Sequence, residues 1–138
     1  MNQRALSVSL IIVGIGLAGC ASDEQKLKDA GSDQLTGEEI TALFSDAHES
    51  YESRDLDTTV TAESDWGADG SFRTEWQRGG SSGEATGNWW VEGDMSCVRF
   101  DQDIEPNPTC VKLYENGDGT YTSIWPDGKI HGVHTMTR

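Results

Sequence analysis

Three kinds of side chain in this sequence could do chemistry: histidines, clustered carboxylates and cysteines. His131-Gly132-Val133-His134 has the i, i+3 spacing that joins two rings on one side of a helix. The surrounding residues, Lys129 to Thr135, read as a strand, where an odd offset sends the two rings to opposite faces. A joint metal site is therefore not expected there, and His48 lies far away in the chain. Asp65-x-Gly67-x-Asp69-Gly70 has the texture of a calcium loop. That loop needs an oxygen ligand at its third position and glutamate at its twelfth, which here are Gly67 and Trp76. The Asp69-Gly70 pair, like Asn116-Gly117-Asp118-Gly119, is better explained as a hairpin turn. No serine sits in a G-x-S-x-G or S-x-x-K setting and no H-E-x-x-H occurs. A non-catalytic domain with no metal and no cofactor is expected.

The cysteines carry a different chemistry. Met1 to Arg4 are positively charged, Ala5 to Ile15 are apolar, and Leu17-Ala18-Gly19-Cys20 follows. This reads as a lipoprotein export signal over 1–19, with Cys20 acylated as the first residue of the mature chain. The apolar run is shorter than the roughly 20 residues of a spanning helix, and glycines loosen its end. Similarity to bacterial lipoproteins implies where the product goes. Ala21, in place of aspartate, favours the inner leaflet of the outer membrane, facing the periplasm. In that oxidising compartment Cys97 and Cys110, thirteen positions apart, read as one disulfide.

Removing the leader takes only Arg4 from the charge count, leaving nine basic residues against 24 acidic ones and a net charge of −15. Such a chain repels nucleic acid, and its membrane partner is reached through the lipid on Cys20. An envelope protein partner would be cationic. The five tryptophans are the remaining candidates for binding. Trp89 and Trp90 are adjacent on a strand and must face opposite ways, so one fills a core and the other meets solvent. Together with Trp125 they form the candidate aromatic surface.

These residues need elements to position them. Residues 20–34 have almost no large apolar groups and are expected to be a flexible tether after the acylated cysteine. Thr36 and Glu39 form a capping box, and Ile40, Leu43, Phe44 and Ala47 line one helical face beyond it. From residue 57 short alternating runs alternate with glycine turns: 58–62, 71–77, 88–92, 96–101, 109–114, 120–125 and 129–135. In 71–77, Phe72, Thr74 and Trp76 share one face. The fold class expected over 35–138 is mainly β. It is an antiparallel meander forming a curled sheet or small open barrel, with one N-terminal α-helix packed on it.

Leu35-Thr36-Gly37-x-Glu39-Ile40-x-x-Leu43, then Gly87-x-Trp89-x-Val91-x-Gly93-Asp94-x-x-Cys97, a second cysteine and an Asp127-Gly128 turn carry a resemblance. Over about residues 35–130 the chain resembles an uncharacterised family of small exported proteins of proteobacteria, mainly alphaproteobacteria. The resemblance implies a β-rich exported domain with a disulfide and brings no activity. The expected role is a non-catalytic envelope lipoprotein acting through protein contacts. Two alternatives stand beside it: a periplasmic barrel for a small apolar or lipid ligand, and an acidic inhibitor of a cationic enzyme such as lysozyme.

Overall fold

A computed structural model describes residues 21–138. The leader expected over 1–19 and the expected acylation site Cys20 lie outside the described residues. Among the described residues, no helix is long and apolar enough to cross a membrane. Turns and loops, five of the seven bearing glycine, cut the chain from residue 47 onward into eight strands. They are β2 (Ala47–Ser53), β3 (Val60–Trp66), β4 (Ser71–Arg78), β5 (Ser81–Glu92), β6 (Met95–Phe100), β7 (Thr109–Glu115), β8 (Thr120–Ile124) and β9 (Ile130–Thr137). Before them come α1 (Asp23–Asp29), β1 (Asp33–Gln34) and α2 (Gly37–Phe44).

Each strand from β2 to β9 pairs antiparallel with the next, and β9 returns to β2, so the sheet closes. The expected curled or open sheet is thus a closed eight-stranded barrel, with β1 as a ninth strand on β7. The closing strand, β2, is one that none of the alternating runs marks. In β2 the inward positions are Ala47, Glu49, Tyr51 and Ser53, and the outward ones His48, Ser50 and Glu52. Two of its four inward residues are strongly polar, so hydrophobic alternation does not mark it. The strand expected at 88–92 is also longer, because β5 already begins at Ser81. Only Gly79-Gly80 remain as the turn, with Gly79 at φ 57°.

Antiparallel register stacks the inward residues of β2 to β5 in rows. Ala47, Trp66, Phe72 and Gly87 make one row; Glu49, Ser64, Thr74 and Ala85 the next; Tyr51, Ala62, Trp76 and Gly83 the third. The first row is bulky and packs with Phe44, Trp89, Val98 and Leu113 into the hydrophobic core at one end. The Phe44 ring lies 4.3 Å from Trp66, which meets Phe72 edge-on at 4.8 Å and Trp89 at 5.6 Å. The middle row is small and polar, and it does not fill the barrel.

Helix α2 plugs the packed end. Thr36 and Glu39 form the expected capping box, and Asp94 in the β5–β6 turn accepts from the Gly37 amide at 2.8 Å. Ile40 and Phe44 are the buried face, and each contributes roughly 1.5–3 kcal/mol by burial. The helix stops at Phe44 because Asp46 takes a left-handed φ of 59° and Ala47 begins β2.

Residues 20–34 were expected as a flexible tether, yet α1 and β1 occupy 23–29 and 33–34. Polar contacts hold them where apolar ones are lacking. The Glu24 carboxylate accepts from Lys112 Nζ and from the Tyr114 hydroxyl, at 2.8 and 2.6 Å. Burial pushes the Glu24 carboxyl up, and the bonds from Lys112 and Tyr114 outweigh it and hold it below the usual range. Single-helix packing thereby becomes two short helices, one at the end and one on the side of the barrel.

Cys97 and Cys110 face each other across β6 and β7 and form a disulfide, with Cα atoms 4.1 Å apart. Asn107 holds the loop between them by pairing both ways with the Phe100 backbone at 3.0 Å. Closing a loop of this length stabilises by about 3 kcal/mol in the chain-entropy picture. Reduction of the disulfide, or Cys97→Ala with Cys110→Ala, is expected to lower the unfolding free energy by about that amount. Urea titration with and without reductant measures it.

Candidate functional site

The unfilled middle and upper part of the barrel is a cavity of about 490 Å³, open at the end opposite α2. Its walls are mostly apolar, with Trp66, Phe72, Trp76, Phe100 and Trp125 as the aromatic contributors beside Val98 and Val111. The small residues Ser64, Thr74, Ala85 and Ser96 leave the space between them. Eight strands give a barrel just wide enough either to be filled by its own side chains or to hold one small molecule. Here the choice falls to the middle row.

One wall is polar. Glu49 is 2 % exposed, and its carboxylate accepts from Trp66 Nε1 and contacts His134 Nδ1. His134 Nε2 lies 2.7 Å from Ser123 Oγ, which is 2.9 Å from His131 Nδ1. His131 Nε2 is 3.1 Å from the Tyr51 hydroxyl. With the carboxylate ionised and both rings neutral, one assignment of hydrogens satisfies every member. Tyr51 donates to His131, His131 to Ser123, Ser123 to His134, and His134 to Glu49. Removing one member would strand a buried polar group at a cost of several kcal/mol if Glu49 lost its partner.

The two histidine rings, expected on opposite faces of β9, both point inward with centroids 6.3 Å apart. A β-bulge is the reason. The pairing of β8 with β9 jumps from Ser123–Gly132 to Ile124–Ile130, leaving His131 as the extra residue and turning its side chain into the barrel. Gly132 permits this, because a Cβ there would lie 2.2 Å from Tyr51 Cε2 and 2.7 Å from the Glu52 carbonyl oxygen. A lone glycine inside a strand pattern is the sequence signal that could have exposed the bulge. Nothing local marked Glu49, Tyr51 or Ser123, which come from distant strands.

Ser123, His134 and Glu49 have the connectivity of a serine–histidine–acid triad. The serine, however, is 0 % exposed and its oxygen lies between two imidazoles. Ser123 does not line the cavity, and its hydroxyl is engaged by both rings. Of this hydrogen-bonded chain, Glu49, Tyr51, His131 and His134 line the cavity.

The sequence candidates separate in space. Trp89 is in the packed end, donating to the Gly67 carbonyl at 2.8 Å. Trp90 is on the outer face, half-buried, with the Arg99 guanidinium 5.9 Å from its ring. Trp125 stands at the cavity mouth, donating to Asp55 at 2.8 Å and meeting His131 edge-on. The expected shared aromatic surface is therefore not formed by these three, and the aromatic wall consists of Trp66, Phe72, Trp76, Phe100 and Trp125 instead. His48 lies outside the barrel between Asp65 and Glu63, whose hydrogen bonds raise its pKa. Among the described residues, Glu92, Cys97 and Cys110 group as metal-type donors, but both sulfurs are spent in the disulfide.

Comparison with models of protein families, with curated proteins and with solved structures finds no match for this chain.

Burial, reinforced by the neighbouring His134, lowers the His131 pKa from 6.5 to about 4, against weaker opposing pulls from Asp55 and Glu49. The unfolded chain therefore takes up this proton first as the pH falls. The contribution is fully present above about pH 6.5 and is lost between there and about pH 4, by on the order of 3 kcal/mol. His131→Gln is expected to flatten that part of the stability–pH curve relative to the wild type. Gly132→Ala should cost about 1–3 kcal/mol by overpacking against Tyr51. Urea unfolding at pH 7 and pH 5 checks both.

Proposed function

We propose that this chain is an exported, lipid-anchored envelope protein whose barrel binds one small apolar or amphipathic molecule. The observation that carries the reading is the cavity of about 490 Å³ inside an eight-stranded barrel, walled by aromatic rings with a few convergent polar groups. That size and that mixture are usual for small-molecule sites. Barrels of this strand number hold single small ligands. The leader and Cys20 support export and acylation, and the resemblance to exported proteobacterial proteins agrees with the same compartment.

The polar wall favours a neutral ligand over an anion. His131 is held neutral by burial, and Tyr51 is kept protonated by burial and by the nearby Asp55 and Glu49. Glu49, Asp55 and Glu105 line the cavity against Arg78 as the balancing cation. A carboxylate head would meet more negative charge than positive. A hydroxyl or amide head could donate to the Tyr51 oxygen, whose own hydrogen is given to His131. The domain acts without catalysis in this reading, since the serine of the triad-like chain does not line the cavity.

A protein-contact reading has its own support in the outer face of β3 to β5. There Glu63, Glu75 and Glu84 line a concavity that suits a cationic partner or enzyme. Arg73 bridges Glu75 and Glu84 and removes part of that charge, so the cavity reading ranks first.

N-phenyl-1-naphthylamine, a neutral reporter that brightens in apolar sites, is expected to bind saturably with one site per chain. Ala62→Trp, which places an indole in the cavity, should abolish the signal while the circular dichroism stays unchanged. 1-Decanol should displace the reporter at lower concentration than decanoate. Absence of saturable binding by the wild-type protein would sink the reading.

A further inference from the structure

The chain enters the fold at the open end of the barrel. The Glu24 amide donates to the Gly128 carbonyl at 3.0 Å, and the Ile130 amide to the Asp23 carboxylate at 2.9 Å. The side chain of Ser22 lies against Gly128, where an added Cβ would come within 3.6 Å of it. Gly128 belongs to the turn between β8 and β9, beside Trp125 at the cavity mouth. From there α1 runs along the outside of the barrel to β1, and α2 closes the far end. Only two residue steps separate Ser22 from Cys20. At most about 3.6 Å per residue, they span no more than about 7 Å of chain. An acyl group on Cys20 would therefore be joined to the barrel within that length of chain from Ser22 at the mouth.

A second observation points the same way. Among the described residues, Leu56 is the one large apolar side chain left exposed, at 44 %. It lies in the β2–β3 loop, on the rim of the same mouth, near the half-buried Ile104 of the β6–β7 loop and Trp125. Leu56, Ile104 and Trp125 together give the rim an apolar edge, and the nearest apolar phase is the one that holds the anchor.

We propose that the mouth of the barrel faces the bilayer to which Cys20 anchors the chain, so that the cavity exchanges an uncharged single-chain amphiphile directly with that bilayer. This rests on the binding reading above and adds the source and path of the ligand. A molecule leaving the lipid by this route crosses Leu56, Ile104 and Trp125 and need not enter water. The acidic rim, with Asp55, Asp57 and Glu105, is repelled by anionic lipid. The covalent anchor is then what brings the mouth to the surface, and apolar contact at Leu56 sets its angle.

The test uses full-length acylated protein in vesicles of phosphatidylethanolamine and phosphatidylglycerol, with the native disulfide intact. A nitrobenzoxadiazole label is placed by Leu56→Cys or Asp103→Cys on the rim loops, or by Ala68→Cys in the β3–β4 turn at the far end. With doxyl-phosphatidylcholine in the vesicles, the rim labels are expected to lose much of their fluorescence and the label at position 68 to keep it. Equal quenching at both ends, stronger quenching at position 68, or no quenching anywhere overturns the orientation. Mass spectrometry showing a free thiol at Cys20 overturns it as well. Naphthylamine titration of the same samples separates the two ideas: rim quenching without saturable binding upholds the orientation and overturns the ligand reading. Rim quenching with binding that 1-decanol preloaded in the vesicles displaces supports the whole proposal.

Discussion

The pairing of β2 with β9 is the constraint on which everything else depends. Without it the β2 and β9 edges would offer unpaired amides and carbonyls, and the inward residues would face solvent. With it the strand number is eight, and strand number sets the interior width. The same pairing places Tyr51 opposite His134 and Glu49 opposite Met136, which brings the polar wall into being. A residue pattern that looks unfit for a core strand turns out to be the one that closes the core.

Once the barrel is closed, side-chain size decides what is inside it. The row holding Trp66 and Phe72 is large enough to pack with Phe44 of α2 and Trp89. The next row, with Ser64, Thr74 and Ala85, is too small to meet across the barrel. Ser64 donates to Thr74 at 2.8 Å and Thr74 to the Glu63 carbonyl at 3.3 Å, so these hydroxyls do not demand water or a polar ligand. The cavity wall is thus apolar in character even where its residues are polar by type. The buried chain from Tyr51 to Glu49 behaves similarly: each hydrogen has an acceptor inside the protein, and no buried side-chain polar atom among the described residues is left without a partner.

The two ends of the molecule are made different by short polar contacts. At the packed end, the capping box and Asp94 hold α2 in place, and Arg138 reaches the Ala42 carbonyl. At the open end, Asp23 and Glu24 dock the start of the described chain on the β8–β9 hairpin. A helix of seven residues with no buried apolar side chain has little reason to form alone. Lys112 and Tyr114 supply the reason, since a carboxylate with two charge-assisted donors is worth more than the propensity of the segment.

Much of this was legible in the sequence, because it is encoded by neighbours along the chain. The capping box from Thr36 and Glu39, the turns at Asn116–Gly119 and Asp127-Gly128, the alternation in β4 and the cysteine pair each use residues a few positions apart. Predominantly antiparallel β structure followed from them. What only the tertiary structure decided involves partners far apart in sequence. The closure through β2, the docking of α1 by Lys112 and Tyr114, and the assembly of Glu49, Ser123, His131 and His134 are of that kind. The physical reason is the same in each case. A strand or helix whose buried face is polar gives no hydrophobic period, and its burial is tolerated only because distant groups complete its hydrogen bonds.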